Sequence, residues 1–285
     1  MLIYEISLAT VVGINIILAI GLNLITGYCG QISLGHAAFY GIGAYTAALL
    51  AKAGLPGALT LPAAMLVTGA VGVLVGLTSL RVREDFLAIT TMGVGFLFLG
   101  IVRQQESLLG GELGISAIPA FGLGRVGFFV MVALLAIACV VFSRYLKRTW
   151  MGFAFDAVAD DEDTAQGLSV NVSAYKLAAF AMGTGLAGLA GGLYCYFARF
   201  IVPDDFGFIT SISILSMVAV GGIGSVYGVV LGTALLTLLP DLFRFISDYK
   251  LFVYGALLFA VMRFAPQGLA GLPAMVRRPR GGGAP

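Results

Sequence analysis

The run ISLATVVGINIILAIGLNLITGYCGQISLGHAAFYGIGAYTAALLA, residues 6–51, holds 46 residues without one Asp, Glu, Lys or Arg. A bilayer core takes about 20 apolar residues per crossing helix. The run therefore has room for two crossings, with a turn at Thr26-Gly27-Tyr28-Cys29-Gly30. Outward from it the pattern repeats: residues 53–80, 86–102, 126–143, 177–198 and 206–240 are also free of charge. A charge at the centre of a span costs about 2.5–3.5 kcal/mol on insertion scales, so such runs mark the spans. The run 206–240 holds two more, broken at Gly221-Gly222-Ile223-Gly224-Ser225. Nine spans are expected, near 4–25, 32–51, 60–80, 86–104, 127–146, 177–198, 208–221, 226–240 and 250–264. Two of them, 208–221 and 250–264, fall short of a full crossing and are expected to be re-entrant or broken.

Composition agrees. Of 285 residues 60% are hydrophobic and only 11% charged, with 40 glycines and a mean hydropathy of +1.03. A soluble globule averages about 45–50% apolar and about a quarter charged, so a soluble protein and a disordered one are both excluded. A net charge of +2 forms no basic footprint for nucleic acid. Two-residue alternation is missing, which disfavours a β-barrel. The expected fold is an all-α polytopic membrane protein.

Orientation follows the Lys and Arg asymmetry. Arg144, Lys147 and Arg148 end the fifth span, and Arg277, Arg278 and Arg280 crowd a basic, Gly/Pro-rich tail over 277–285. With both groups inside, together with Arg81, Arg83, Lys176 and Arg263, ten basic residues lie inside against six outside. The N-terminus is then outside and the C-terminus cytoplasmic. No Lys or Arg precedes Lys52, so the basic region of a cleaved signal is missing and the first span is expected to be retained. Residues 1–276 are expected to form a single transmembrane domain.

The chain lacks the parts of most enzyme chemistry. One His excludes a multi-His metal site, and Cys29, Cys139 and Cys195 lie far apart without C-x-x-C spacing. No metal site is expected, and no P-loop motif cradles a nucleotide. What stands out is backbone. Gly27 through His36 combines Gly30 and Gly35 with Gln31, Ser33 and His36, polar groups that lipid cannot satisfy. They either bond neighbouring helices or face an aqueous path. Gly221, Gly222 and Gly224 break a second helix, and Gly224, Gly228 and Gly232 then line one face. The two breaks occupy comparable places in the two halves, each followed by an early Ser. A third cluster, Gly183 to Gly192, contains a G-x-x-x-G pair suited to close helix packing.

Between the fifth and sixth spans, 149–176 carries the densest acid run: Asp160, Asp161, Glu162 and Asp163. Asp160 is expected to cap a helix of about two turns, the acids to suit its positive end, and Gly167 to stop it in the left-handed conformation. Val158, Ala165 and Leu168 would form its apolar side.

These residues resemble a family, the permease subunits of branched-chain amino-acid ABC importers, and in particular the M-type of that paired set. The resemblance is carried by Gly27 through Phe39, by Asp85-Phe86-Leu87-Ala88-Ile89-Thr90-Thr91, by Gly221 through Gly228, and by Leu239-Pro240-Asp241-Leu242 and Pro266-Gln267-Gly268-Leu269. It implies that Asp160 to Ala165 with Gly167 and Leu168 is a coupling loop that docks on an ATPase. The family pattern has basic residues just before the acids, where this chain has Asp156 and Ala159. The implied assembly is this chain, a homologous second permease, two cytoplasmic ATPase subunits that bind ATP and Mg, and an extracytoplasmic substrate-binding protein, all at a bacterial inner membrane. The chain itself would hold no cofactor and would not be an enzyme. Gln31, Ser33, His36, Tyr40, Thr90 and Thr91 are the expected substrate-path residues. Similar permeases carry branched-chain amino acids, other amino acids, urea, short amides or aromatic acids. A stand-alone ion-coupled transporter is the competing class, but it needs an intramembrane carboxylate, which the central spans lack.

Overall fold

The computed structural model describes residues 2–79 and 84–242, and from the remainder residues 252, 255, 256, 259, 263, 268 and 269. Eleven α-helices run through the two long segments, and among the described residues the only β pairing is one antiparallel bridge, Ile115 with Ile201.

The first run forms α1 (Leu2–Leu22), which continues as a π-helical turn over Asn23–Tyr28. The chain then unwinds, and α2 (His36–Lys52) begins four residues later than expected. Next come α3 (Gly57–Ser79) and α4 (Glu84–Gln104), then a short α5 (Glu106–Leu109). A long α6 (Arg125–Lys147) leads to α7 (Trp150–Asp160) and α8 (Glu162–Gly167). The bundle closes with α9 (Val172–Ala198), α10 (Phe208–Gly221) and α11 (Val226–Leu242). Six segments are long and apolar enough to cross a membrane: Ile3–Tyr28, Gly57–Thr78, Phe86–Gln104, Arg125–Lys147, Val172–Ala198 and Pro203–Gly221. At 17 residues each, α2 and α11 reach about 26 Å, short of a 30 Å hydrocarbon core. Each of the first eight expected spans falls on a helix, and the ninth, 250–264, lies outside the described residues apart from isolated positions.

Helix α9 is the axis of the bundle, packed by α1, α2 and α3. Its small residues explain why. A Cβ on Gly21 would lie 2.6 Å from the Gly183 carbonyl oxygen, and one on Gly191 would overlap that of Tyr40. Gly43 and Gly188 meet backbone to backbone. Lipid drives no apolar collapse between helices, so such close contact supplies the attraction. The outer helices α3, α4 and α6 turn Leu66, Leu74, Ile89, Leu97, Leu134 and Ile137 outward, as lipid-facing surfaces do.

Candidate functional site: two broken helices resting on a helical knob

The π-turn of α1 ends with Gln31 donating its backbone N–H to the Ile25 carbonyl (3.1 Å) and Gly30 at φ +72°. Thr26 donates its hydroxyl to the Gln31 carbonyl (3.0 Å). The unwound stretch is then pinned on both sides. Leu34 donates its N–H to Thr91 Oγ1 on α4 (3.0 Å), and Ala37 donates to Ser211 Oγ on α10 (3.1 Å). Gly35 presses on the Thr91 carbonyl, where any Cβ would overlap.

Inside this stretch Gln31 and Ser33 are each 1% exposed and His36 is fully buried. The side-chain amide of Gln31 and the hydroxyl of Ser33 make no hydrogen bond among the described residues, whereas the His36 ring is set against the Leu18 backbone. Most buried polar groups are paired, and each exception calls for an explanation. The other expected path residues sit differently. Thr91 is saturated, accepting from Leu34 and donating to the Ala88 carbonyl (3.0 Å). Thr90 is half-buried and turned to the Phe86 carbonyl of its own helix. Tyr40, one turn along α2 from His36, packs among Tyr194 and Phe206 with ring centroids 5.5 and 5.2 Å away.

The second break faces the first. Helix α10 ends at Gly221, and the chain turns through Gly222 (φ +117°) and Gly224 (φ +82°) before Ser225 Oγ accepts the Gly228 N–H of α11 (3.2 Å). Gly221 lies against the Gly228 carbonyl, so α10 and α11 pack glycine to backbone. The Gly224 N–H donates to Asn23 Oδ1 within the π-turn (2.9 Å), and a Cβ on Gly27 would stand 2.6 Å from that same Gly224 nitrogen.

Lys147, at the end of α6, closes the junction. Its Nζ donates to the Gly224 carbonyl (3.1 Å), lies 4.7 Å above the Tyr28 ring and stands 3.9 Å from Asp156 Oδ1 on α7. The Tyr28 hydroxyl is in turn 2.9 Å from Ser143 Oγ on α6. Gly30 rests on the Ala159 backbone, where a Cβ would be 3.2 Å away. Both breaks therefore touch the end of the bundle that carries α7 and α8.

That end differs from expectation in four ways. The segment opens with α7, which buries Phe155 and Val158 and exposes Trp150 and Phe153. Asp160 ends this helix, and the cap of α8 is Asp161, which accepts the Thr164 N–H at 2.6 Å. That N–H, first of all, holds the Asp161 carboxyl below the usual carboxylate range. Gly167 is the last helical residue and carries no positive φ; the left-handed residue is Ser169, at φ +66°. Asp160 fails as cap because α7 runs on to it, so the N–H groups of α8 start one residue later. Of the expected apolar side, Val158 and Ala165 are buried, whereas Leu168 is 73% exposed. Asp163 and Thr164 are exposed with it, and Glu162 is held by an ion pair to Lys176 of α9. Among the described residues no cluster of three or more metal-ligating side chains occurs.

Sequence reasoning passed over Asn23, Ser211 and Lys147. The cost of polarity in lipid, which picked out Gln31, applies equally to Asn23. Lys147 counted only toward orientation, since nothing in its neighbourhood in sequence points to Gly224.

Residues 5–262 match the family described as the permease component of branched-chain amino acid transport systems. The high-affinity branched-chain amino acid permease protein LivM of Salmonella typhimurium is 35% identical over 93% of this chain and 69% of its own length. LivM of Escherichia coli gives the same identity over the same shares. LivH of Salmonella typhimurium is 25% identical over 90% of this chain and 91% of its own. No solved structure matches. A multi-pass helical chain, matched to this family over nearly its whole length and nearer to LivM than to LivH, belongs to the permease components of branched-chain amino acid transport systems and is of the M-type.

Proposed function

We propose that the chain is a translocation subunit of an ATP-driven importer of branched-chain or related hydrophobic amino acids. Family membership supports a transport role, and one observation carries the mechanism: the buried, unpaired side chains of Gln31 and Ser33 lie, beside the buried His36, in a helix break that rests directly on α7. Polar groups left unpaired in a membrane interior cost free energy, and a polar substrate in transit would satisfy them. Nine crossings, with the N-terminus outside and the C-terminus cytoplasmic, put α7 and α8 in the cytoplasm. There Asp161, Asp163 and Leu168 form a knob for an ATPase subunit. ATP is hydrolysed by that partner, and a homologous LivH-like permease and an external binding protein complete the assembly at the inner membrane.

Motion of α7 would reach both breaks at once, through Ala159 on Gly30 and through Lys147 on Gly224. The path then shifts population between outward-open and inward-open forms. The test is a mild-detergent pull-down of tagged chain from native membranes, followed by leucine uptake into vesicles holding the recovered complex. Recovery of a second permease and P-loop ATPases, with ATP-dependent uptake, is the expected result. Recovery of the chain alone, from membranes where a control importer stays assembled, overturns the reading.

A further inference from the structure

A cavity of about 480 Å³ opens at the end of the bundle opposite α7 and α8, between the start of α1, the start of α6 and the end of α9. Its volume lies within the range of about 300–1,000 Å³ of small-molecule sites. The walls are aromatic and fixed. Phe121 meets the Tyr196 ring edge-on at 5.1 Å and the Phe128 ring at 6.0 Å, and the Tyr196 hydroxyl is 2.6 Å from Thr60 Oγ1. The extended segment that carries Phe121 is stitched down by the paired hydrogen bonds of Ile115 with Ile201 and by Ile118 N–H on the Arg199 carbonyl (3.3 Å).

Arg125 and Arg199 both line this space, and among the described residues no acidic residue does. Neither has an ion-pair or hydrogen-bond partner among the described residues. By contrast Arg103 pairs with Asp204 at 2.7 Å and Arg144 lies over the Tyr227 ring. Arg199 is moreover held in the left-handed conformation (φ +58°), which costs a non-glycine residue free energy. The first turn of α6 begins at the rim with Gly124, which supplies no side-chain cap to its N–H groups.

We propose that this cavity binds an anionic head group carried on an apolar body: guanidiniums take the anion, for which their fork geometry is suited, and the aromatic wall takes the body. A carboxylate of a hydrophobic amino acid and the phosphate of a lipid share that chemistry. The assignment stands on the cavity alone and does not depend on the transport reading.

The test places a single thiol in the cavity by Ser7→Cys, since Ser7 lines it and the native Cys29, Cys139 and Cys195 are buried. The full chain, with whatever partners co-purify, is labelled with an anionic and with a cationic methanethiosulfonate, each rate normalised to a free thiol. The anionic reagent should win by tenfold or more, and R125Q/R199Q should bring the ratio near one while R125K/R199K keeps it. Should the double variant not fold, R125Q or R199Q alone should give an intermediate ratio. Protection of the thiol by leucine identifies an amino-acid carboxylate; protection by a short-chain phosphatidylglycerol identifies a lipid phosphate. A ratio near one in the parent, a ratio unmoved by loss of the arginines, or protection by neither probe overturns the proposal.

Discussion

Gln31 offers the sharpest separation between a structural and a transport role. Its amide is buried and unpaired among the described residues, so removing it relieves a desolvation penalty of about 1–3 kcal/mol rather than breaking a bond. Gln31→Leu should therefore hold or raise the melting temperature in a thermal size-exclusion assay while uptake falls at least tenfold. A loss of stability together with uptake would mean the amide is a packing element. Asp161 makes a pH-dependent claim. Its carboxyl is held below its unfolded value by the Thr164 N–H, so its cap stabilises α8 at neutral pH and is lost as pH falls through the depressed value. The protection factor of the Thr164 amide, its exchange rate relative to the intrinsic rate at the same pH, should be high at pH 7 and fall on acidification, and Asp161→Ala should show the low protection at both.

At the scale of elements the junction of α6, α7 and the two breaks is the unit to test. Lys147 joins α7 to the Gly224 turn through a hydrogen bond to the Gly224 carbonyl and an ion pair to Asp156, with the Tyr28 ring beneath its ammonium. Lys147→Met should leave ATPase activity of the assembled complex near its parent level while uptake drops about tenfold, and Lys147→Arg should restore part of it. Equal loss of both activities would point to misfolding. Helix α8 carries the companion test. Gly167→Val should be mild, because no positive φ and no neighbouring atom opposes the side chain, whereas Ser169→Val should destabilise the turn by about 1–2 kcal/mol. Limited proteolysis between 160 and 172 reads both.

The same elements show what a sequence discloses and what it conceals. Charge-free runs located the helices because lipid penalises charge wherever the chain folds. They could not locate the start of α2, since the π-turn and the unwound 29–35 are as free of charge as a helix; what sets that boundary is Thr91 and Ser211, 57 and 174 residues away from the atoms they hold. Helix α7 was hidden because Asp156 and Asp160 make a mostly apolar segment look like an acidic loop. The two glycine-rich breaks were legible as breaks, but not as partners, because the hydrogen bond from Gly224 to Asn23 spans 201 residues.

For the whole molecule the decisive property is that α9 meets α1 and α2 through backbone. Gly191→Ala would set a methyl against the Tyr40 carbonyl, and neither helix can yield alone. Overpacking typically costs about 1–3 kcal/mol, occasionally more. The expected outcome is a sharp fall in monodisperse protein after detergent extraction, not a selective loss of uptake. Glycines on α4 contrast with this: a Cβ on Gly93, Gly95 or Gly100 meets nothing within 4 Å. In a saturation library selected for growth on the transported nutrient, intolerance at Gly43, Gly188 and Gly191 follows from the chain's own packing. Alanine at Gly93, Gly95 and Gly100 should survive wherever that face looks onto lipid. Selection against it there would be a genetic footprint of a neighbour, so a census of surviving alleles would outline the subunit boundaries of the assembly residue by residue.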